Sequence, residues 1–355
     1  MALLHKVVQL IRGIQRNIYL YCLLMCSVVR GLLVVGFLIL IVPTRLYAQG
    51  EYNLALSGAS PGGLWSLLGA GVNAAVAINH PGSVITYQTS GGGIANIKLV
   101  SEGIAELGIV HDVELKVAAE GGLPFGQPVN NLRAIAYLYD WAPMQLVITS
   151  SFAEEYEIET LGDLITNQAP VRFGVNTRGN MVQELNRMLL DAYGVTYEQV
   201  RGWGGQIVFA ASNDMANLMA NRRLDMTGNG LFTPNSTILR TGNAVDVTML
   251  SIDTDVVNAV SEASGARPFT VPIGTYDWLD SDVSTIALGA VLVVNKNMSS
   301  EVTYDLAKAL VEHIARLRSV HGSMNALTPE FMASQDVIPY HAGALNYFRE
   351  VGLVN

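Results

Sequence analysis

The chain has 355 residues, half of them apolar, which is enough to bury one large core or two. Charged residues make up only 14% of it, and the formal net charge is −9. An acidic chain of this kind argues against a nucleic-acid surface, which needs clustered Lys and Arg.

Residues 1–48 hold Lys6, Arg12, Arg16, Arg30 and Arg45 but no acid. Taking those five positive charges from the whole-chain net of −9 leaves −14 on the remainder. Gly31–Val42 is an apolar run preceded by Arg30 and followed by PTRLYA, the three parts of an export signal. Residues 1–48 are therefore expected to be a signal peptide cut after Ala48, although Leu46 is larger than the small residue preferred at that place. A start at Met25 gives a more compact leader. The rival is an uncleaved membrane anchor over 18–42, which is long enough to span but is interrupted by Arg30. The first reading predicts a periplasmic protein, the second a membrane-anchored one. Both cysteines, Cys22 and Cys26, lie in this leader. The rest of the chain then has no disulfide, thiolate metal site or cysteine nucleophile.

The chain is organised around Leu54–Trp65, LALSGASPGGLW. A short apolar strand, Tyr52 to Leu56, runs into a turn of Gly, Ser and Pro, and a helical pattern opens at about Leu64. Such a turn sets free backbone N–H groups and the positive end of a helix dipole side by side, which suits an anion. A plain strand-to-helix turn is the alternative. The device recurs: Val84–Gln88 reads as a strand, and Thr89-Ser-Gly-Gly-Gly93 delivers the chain into a helix with Asn96 in its first turn. Leu107–Val110 is a third strand, with His111 and Asp112 at its end and a helix through Ala119 after it. Three such units suggest a parallel sheet with a ligand crevice at its strand ends.

Two apolar runs, Leu132–Tyr139 and Met144–Thr149, read as the crossing into a second lobe. There Thr160 is placed as the N-cap of a short helix. Val171–Val175 is strand-like and leads into Asn176-Thr-Arg-Gly-Asn180, the third Gly-containing turn. The helix Met181–Tyr193 behind it has a clear 3.6-residue apolar period. A further unit is expected from Val200 through the helix Asn213–Arg222, then a strand at Asp225–Leu231. Pro268–Tyr276 reads as a loop and Thr285–Asn295 as a long strand returning to the first lobe. Helices at Glu301–Leu317 and Pro329–Met332 complete the pattern. The fold class is α/β, with a lobe from 49–145 plus about 250–355 and a lobe from about 146–249.

The histidines after the leader include no HExxH and no i,i+4 pair, so no metal or other cofactor is expected. Ser57-Gly-Ala-Ser60 does not fit a GxSxG nucleophile elbow. Gly58, Gly62 and Gly63 are not spaced as a dinucleotide fingerprint. Arg178 stands in a turn that opens a helix, where a guanidinium grips a carboxylate bidentately or simply points to solvent. Trp65, Tyr137, Trp141, Trp203 and Tyr276 fall near strand ends or loops, as pocket walls or as packing. His341 reads as a helix-start or packing group.

Several stretches resemble the TAXI family of solute-binding proteins, the extracytoplasmic receptors of TRAP transporters. Pro272-Ile-Gly-Thr-Tyr276 is similar to that family's PAGTY, and His341–Gly352 to its HPGAxxYYxExG. Gly62-Gly63-Leu-Trp65 resembles its GGxY, Ser90-Gly91 with Asn96 its second loop, and Leu107–Asp112 the strand that usually ends in Gln and Asp. The resemblance implies a type II periplasmic-binding-protein-like fold, two α/β lobes with a hinge and a ligand cleft between them. It also implies that no reaction is catalysed: a small organic acid or amino acid, glutamate-like or dicarboxylate, is passed to a TRAP-type permease with fused small and large subunits. The first lobe would then contribute Ser57, Ser60, Gly62, Gly63 and Trp65 from its first turn. From its second turn and third strand come Ser90, Gly91, Asn96, His111 and Asp112. Thr177, Arg178, Gly179 and Asn180 would close from the other lobe, with Tyr276 beside them. This chain departs from the family at Trp65 (usually Tyr), at His111 (usually Gln) and at Thr177–Asn180 (commonly Gly-Ser-Gly-Thr). Two other functions remain open at this point: an exported α/β enzyme using His111 and Asp112 as acid and base, and a receptor that presents its ligand to a sensor kinase.

Overall fold

One long strand is shared between two sheets and ties the molecule together. In the computed structural model, which describes residues 51–59 and 63–355, β4 (Leu132–Thr149) and β10 (Val283–Asn295) run antiparallel along each other. The expected signal peptide and the alternative anchor lie outside the described residues. Among the described residues no helix is long and apolar enough to cross a membrane.

On one side, β1 (Asn53–Ser57) sits parallel between β2 (Val84–Gln88) and β3 (Leu107–His111), and β3 pairs antiparallel with β10. The helices that return these strands are α1 (Leu64–Asn79), α2 (Gly93–Ser101) and α3 (Asp112–Glu120). On the other side, the second half of β4 pairs with β7 (Met226–Gly230) and β8 (Val247–Met249). There β5 (Arg172–Gly174) lies parallel between β6 (Gln206–Val208) and β7. The helices α4 (Met181–Ala192) and α5 (Ser212–Ala220) serve this second sheet.

The two apolar runs around Trp141 and Pro143 are thus one 18-residue strand. Its register slips: Ala142 and Pro143 face Leu288 and Ala287, yet Ala290 faces Tyr139. The two sheets meet at this bulge, where the missing N–H of Pro143 is tolerated. Pro268–Tyr276 is also not all loop, because Arg267–Val271 is β9, an edge partner of β10. Pro268 can stay in it because an edge strand does not need every N–H. Val200 belongs to the short helix Tyr197–Gly202, and the strand expected to start there begins at Gln206. The helix expected over 301–317 is broken at His313 into Ser300–Glu312 and Ile314–Arg318.

Each sheet buries its own core. Leu68, Val72 and Val76 of α1 pack with Leu306, Leu310 and Phe348 from the C-terminal helices. Leu185 and Leu189 of α4 pack with Phe173, Val257 and Leu146 in the second. The motif opening at His341 is structural. His341 caps the last helix, Ala342–Glu350, with Nδ1 facing Thr303 Oγ1 at 2.7 Å and Nε2 facing the Lys296 carbonyl at 3.1 Å.

Candidate functional site

Four helix N-termini from both sheets converge on one cavity of about 90 Å³. Gly63 is the N-cap of α1, His111 of α3 and Asn180 of α4, and Ser212 is the first residue of α5; all four line the cavity. The caps of α1 and α5 make no side-chain hydrogen bond to their helices. Their first amides therefore remain available to an anion. Among the described lining residues there is no Asp, Glu, Lys or Arg. The positive potential here comes from peptide dipoles, each end equivalent to roughly half an elementary charge.

Aromatic rings form one wall. Trp65 Nε1 donates to Tyr139 Oη at 2.9 Å, and the indole packs on the His111 ring with centroids 4.6 Å apart. Burial pushes the Tyr139 phenol well above its ordinary pKa, so it is a neutral donor. The opposite wall is a chain of amides. Asn176 Nδ2 donates to Asn229 Oδ1 at 3.0 Å, and Asn229 Nδ2 donates to Ser212 Oγ at 2.8 Å. Asn176 has φ 73°, a left-handed conformation that Asn tolerates better than most residues. A cavity of about 500 Å³ shares Gly63, Leu64, Ser212 and Leu231 with the smaller one. A ligand's bulk therefore has room beyond the polar end.

Of the residues expected from sequence, the structure brings Gly63, Trp65, His111 and Asn180 to this cavity. Ser60 and Gly62 lie outside the described residues. The second turn is diverted to another task. Glu114 already occupies the start of its helix α2, packed so close to Gly93 that an added Cβ would lie 1.5 Å from Oε2. Glu114 is buried, accepts from the His111 backbone N–H at 3.1 Å and faces His111 Nδ1 at 3.3 Å. Ser90 and Gly91 accordingly do not line the cavity.

Ser57 and Asn96 do not line the cavity either. Asn96 is fully buried, accepts from Ser57 Oγ and Ser90 Oγ at 2.6 Å each, and donates to the carbonyls of Gly58 and Ile109. Asn96→Ala should cost about 2 kcal/mol of stability, since it strands the buried Ile109 carbonyl and the Ser57 hydroxyl. Urea unfolding checks this; an unchanged midpoint would show that water replaces the amide.

Asp112 likewise does not line this cavity. Its carboxylate accepts from Tyr137 Oη at 2.7 Å, Arg267 Nη1 at 2.7 Å, and the backbone N–H groups of Val113 and Gly289. An acid–base pair with His111 is thereby set aside, because His111 Nδ1 faces Glu114 instead. Tyr276 is buried in a separate cluster with Met215 and Val271, donating to Gln145 Oε1 at 2.5 Å and accepting from the Asn235 N–H at 3.0 Å. Thr177 spends its N–H on Asn176 Oδ1, and Gly179 is exposed at φ 78°.

Arg178 is the largest departure. Its guanidinium is exposed and stacks over Phe209, 3.6 Å from the ring centroid, and it does not line the cavity. A cation–π contact holds it outward. Arg178→Ala should change acid affinity by less than about threefold, given ~0.5–1 kcal/mol for an exposed pair. Titration calorimetry checks this; a tenfold loss would return Arg178 to the ligand.

Sequence reasoning missed Tyr139, Asn176, Asn229 and Ser212. Asn229 carried a signal, an amide between two glycines inside a strand. Among the described residues no group of three His, Cys, Asp or Glu is placed to hold a metal ion.

Known proteins share this architecture. MatC from Rhodopseudomonas palustris, solved with bound malate, superposes with a TM-score of 0.52 at 12% identity, covering 79% of this chain and 90% of MatC. A Bordetella bronchiseptica RB50 protein matches with a TM-score of 0.51 at 11% identity over 85% of this chain and 98% of its own. The periplasmic binding protein BugD gives 0.50 at 13% identity, over 85% and 98%. At such identities the likeness establishes the fold, the two-lobed α/β fold of type II periplasmic binding proteins. The profile of the NMT1-like family matches residues 56–352, nearly the whole described chain. The chain belongs to the NMT1-like family.

Proposed function

We propose that this protein is an extracytoplasmic solute receptor that captures a small organic acid or amino acid between its lobes and delivers it to a TRAP-type permease, as TAXI receptors do. It is a non-catalytic binder that works in the periplasm. The observation that carries this reading is the cavity at which four helix N-termini meet side-chain amides and hydroxyls. Such a site holds an anion without a formal cation and offers no paired acid and base for chemistry. The fold shared with BugD and with malate-bound MatC agrees with it. We take residues 49–145 with about 250–355 as one lobe and about 146–249 as the other.

Closure would bend β4 and β10 at the bulge near Asp140–Pro143 and Gly289. The described conformation is a tight one, since Asn180 Nδ2 lies 3.2 Å from where a Gly92 Cβ would sit. A thermal-shift screen against keto acids, dicarboxylates, amino acids, sulfonates and neutral sugars tests the proposal. A ligand at 100 times its Kd adds about 2.7 kcal/mol, a shift of several degrees. Shifts confined to neutral compounds would contradict it.

A further inference from the structure

The cavity at the helix N-termini has about 90 Å³, and the one beside it about 500 Å³. They share a wall. Leu231 lines both, and Phe232 after it stands edge-on to Tyr139, with ring centroids 4.8 Å apart, and 5.2 Å from the His321 ring. The outer lining is mostly carbon: Leu64 and Leu67 from α1, then Leu231, Phe232 and Pro234 from the segment after β7, and Leu239. Leu67 and Leu239 come from two separate helices and are 43% and 41% exposed, so each presents apolar surface that a ligand can cover.

Polar groups around this outer cavity are engaged within the protein. Asn235 Oδ1 accepts from the Thr237 N–H at 2.9 Å and the Thr237 hydroxyl at 2.6 Å, capping the helix Ser236–Ala244. His321 Nδ1 accepts from the Ser323 N–H at 3.1 Å, and its Nε2 faces the Pro234 carbonyl at 3.1 Å. Asp214 also lines the cavity and is exposed, and neither Lys nor Arg is among the described lining residues. A second carboxylate carried this far would meet a like charge without a counter-charge. An alkyl or aryl group would meet carbon.

Resting on the receptor reading above, we infer that the ligand is a monocarboxylate with an extended apolar body. Its carboxylate lies at the helix N-termini, and its alkyl chain or aromatic ring lies along Leu64, Leu67 and Leu239. Leu67 and Leu239 thereby set how long a ligand is preferred.

Titration calorimetry with propionate, hexanoate, adipate and 6-aminohexanoate tests this, because the last three share a chain length and differ at the far end. Each fully buried methylene multiplies affinity about fourfold. Hexanoate has three more than propionate, and in a groove open to water it should bind at least ~10-fold more tightly. It should also bind at least ~10-fold more tightly than adipate or 6-aminohexanoate, whose charged ends would leave water. Leu67→Asn and Leu239→Asn change exposed positions, and each should lower the hexanoate-to-propionate ratio at least ~3-fold. The wild-type ratios stand whether or not the variants fold.

Equal binding of propionate and hexanoate would overturn the inference and leave the receptor reading in place. Tighter binding of adipate would do the same, as would tighter binding of 6-aminohexanoate, which would put a cation at Asp214. Unchanged ratios in both folded variants would place the tail elsewhere and overturn it too. Silence from all four, and from every acid of the thermal-shift screen, would overturn the receptor reading and this inference with it.

Discussion

Gly63→Asp is expected to abolish acid binding while leaving the fold intact. Gly63 caps α1 with φ −80° and ψ 174°, a backbone conformation that any residue adopts. Aspartate is as good an N-cap as exists, so stability should change by no more than a few tenths of a kcal/mol in its favour. The same carboxylate would stand at the edge of the cavity, beside the anion it is meant to receive. Two like charges about 4 Å apart at an effective dielectric near 20 repel by about 4 kcal/mol. The expected loss is then roughly a thousandfold. Gly63→Asn supplies nearly the same shape and an equally good cap without the charge, and should bind within about tenfold of the parent. Calorimetry on both variants separates charge from shape. Equal losses in the two would mean that space at Gly63, not potential, decides binding.

Asp112→Ala is the substitution expected to cost most in stability. The carboxylate is 2% exposed and takes hydrogen bonds from four groups on three separate strands and one helix. It joins the start of α3 to Tyr137 on β4, Gly289 on β10 and Arg267 on β9. Gly289 is required there, because an added Cβ would lie 2.3 Å from Asp112 Oδ2 and 2.4 Å from Tyr137 Oη. Removing the carboxylate strands a phenol, a backbone N–H and a guanidinium at once. Arg267 is 40% exposed and retains water, which reduces its share. The total is about 3 kcal/mol, or roughly 5 °C in Tm. Asp140, 3.6 Å from Arg267 Nε, cannot substitute, since it reaches neither Tyr137 nor Gly289. Because the network sits at the bulge where the strands cross, the variant should also report on closure. A Tm within 1 °C of the parent would show that the network is replaceable.

What was legible in the sequence was local. The turn into α1, the Thr160 cap and the amphipathic α4 each depend on residues within a few positions of one another. The structure has the helix that opens at Leu64, the amphipathic α4 and the cap, with Thr160 Oγ1 accepting from the Asp163 N–H. Two long strands were also readable, because β4 and β10 are nearly continuous apolar runs, as strands covered on both faces must be. The site was only half legible. A Gly-rich turn at a helix N-terminus looks the same whether it awaits a ligand or holds an internal carboxylate. Glu114, 21 positions after Gly93, decided the matter for the second turn. The outward placement of Arg178 was hidden for a related reason, since its partner Phe209 comes from after β6 and no spacing joins them. Tyr139 and Asn229 reach the cavity from the strands where the sheets meet, a juxtaposition set by pairing register and invisible to local pattern.

The most direct test of the account is a crystal structure with a bound small acid found in the binding screen. The account predicts its carboxylate within hydrogen-bonding distance of the first amides of α1 or α5, with Asn229 or Ser212 donating to it. A ligand held instead in the polar cavity beside Arg172 and Arg222, at the far end of the second sheet, would contradict it.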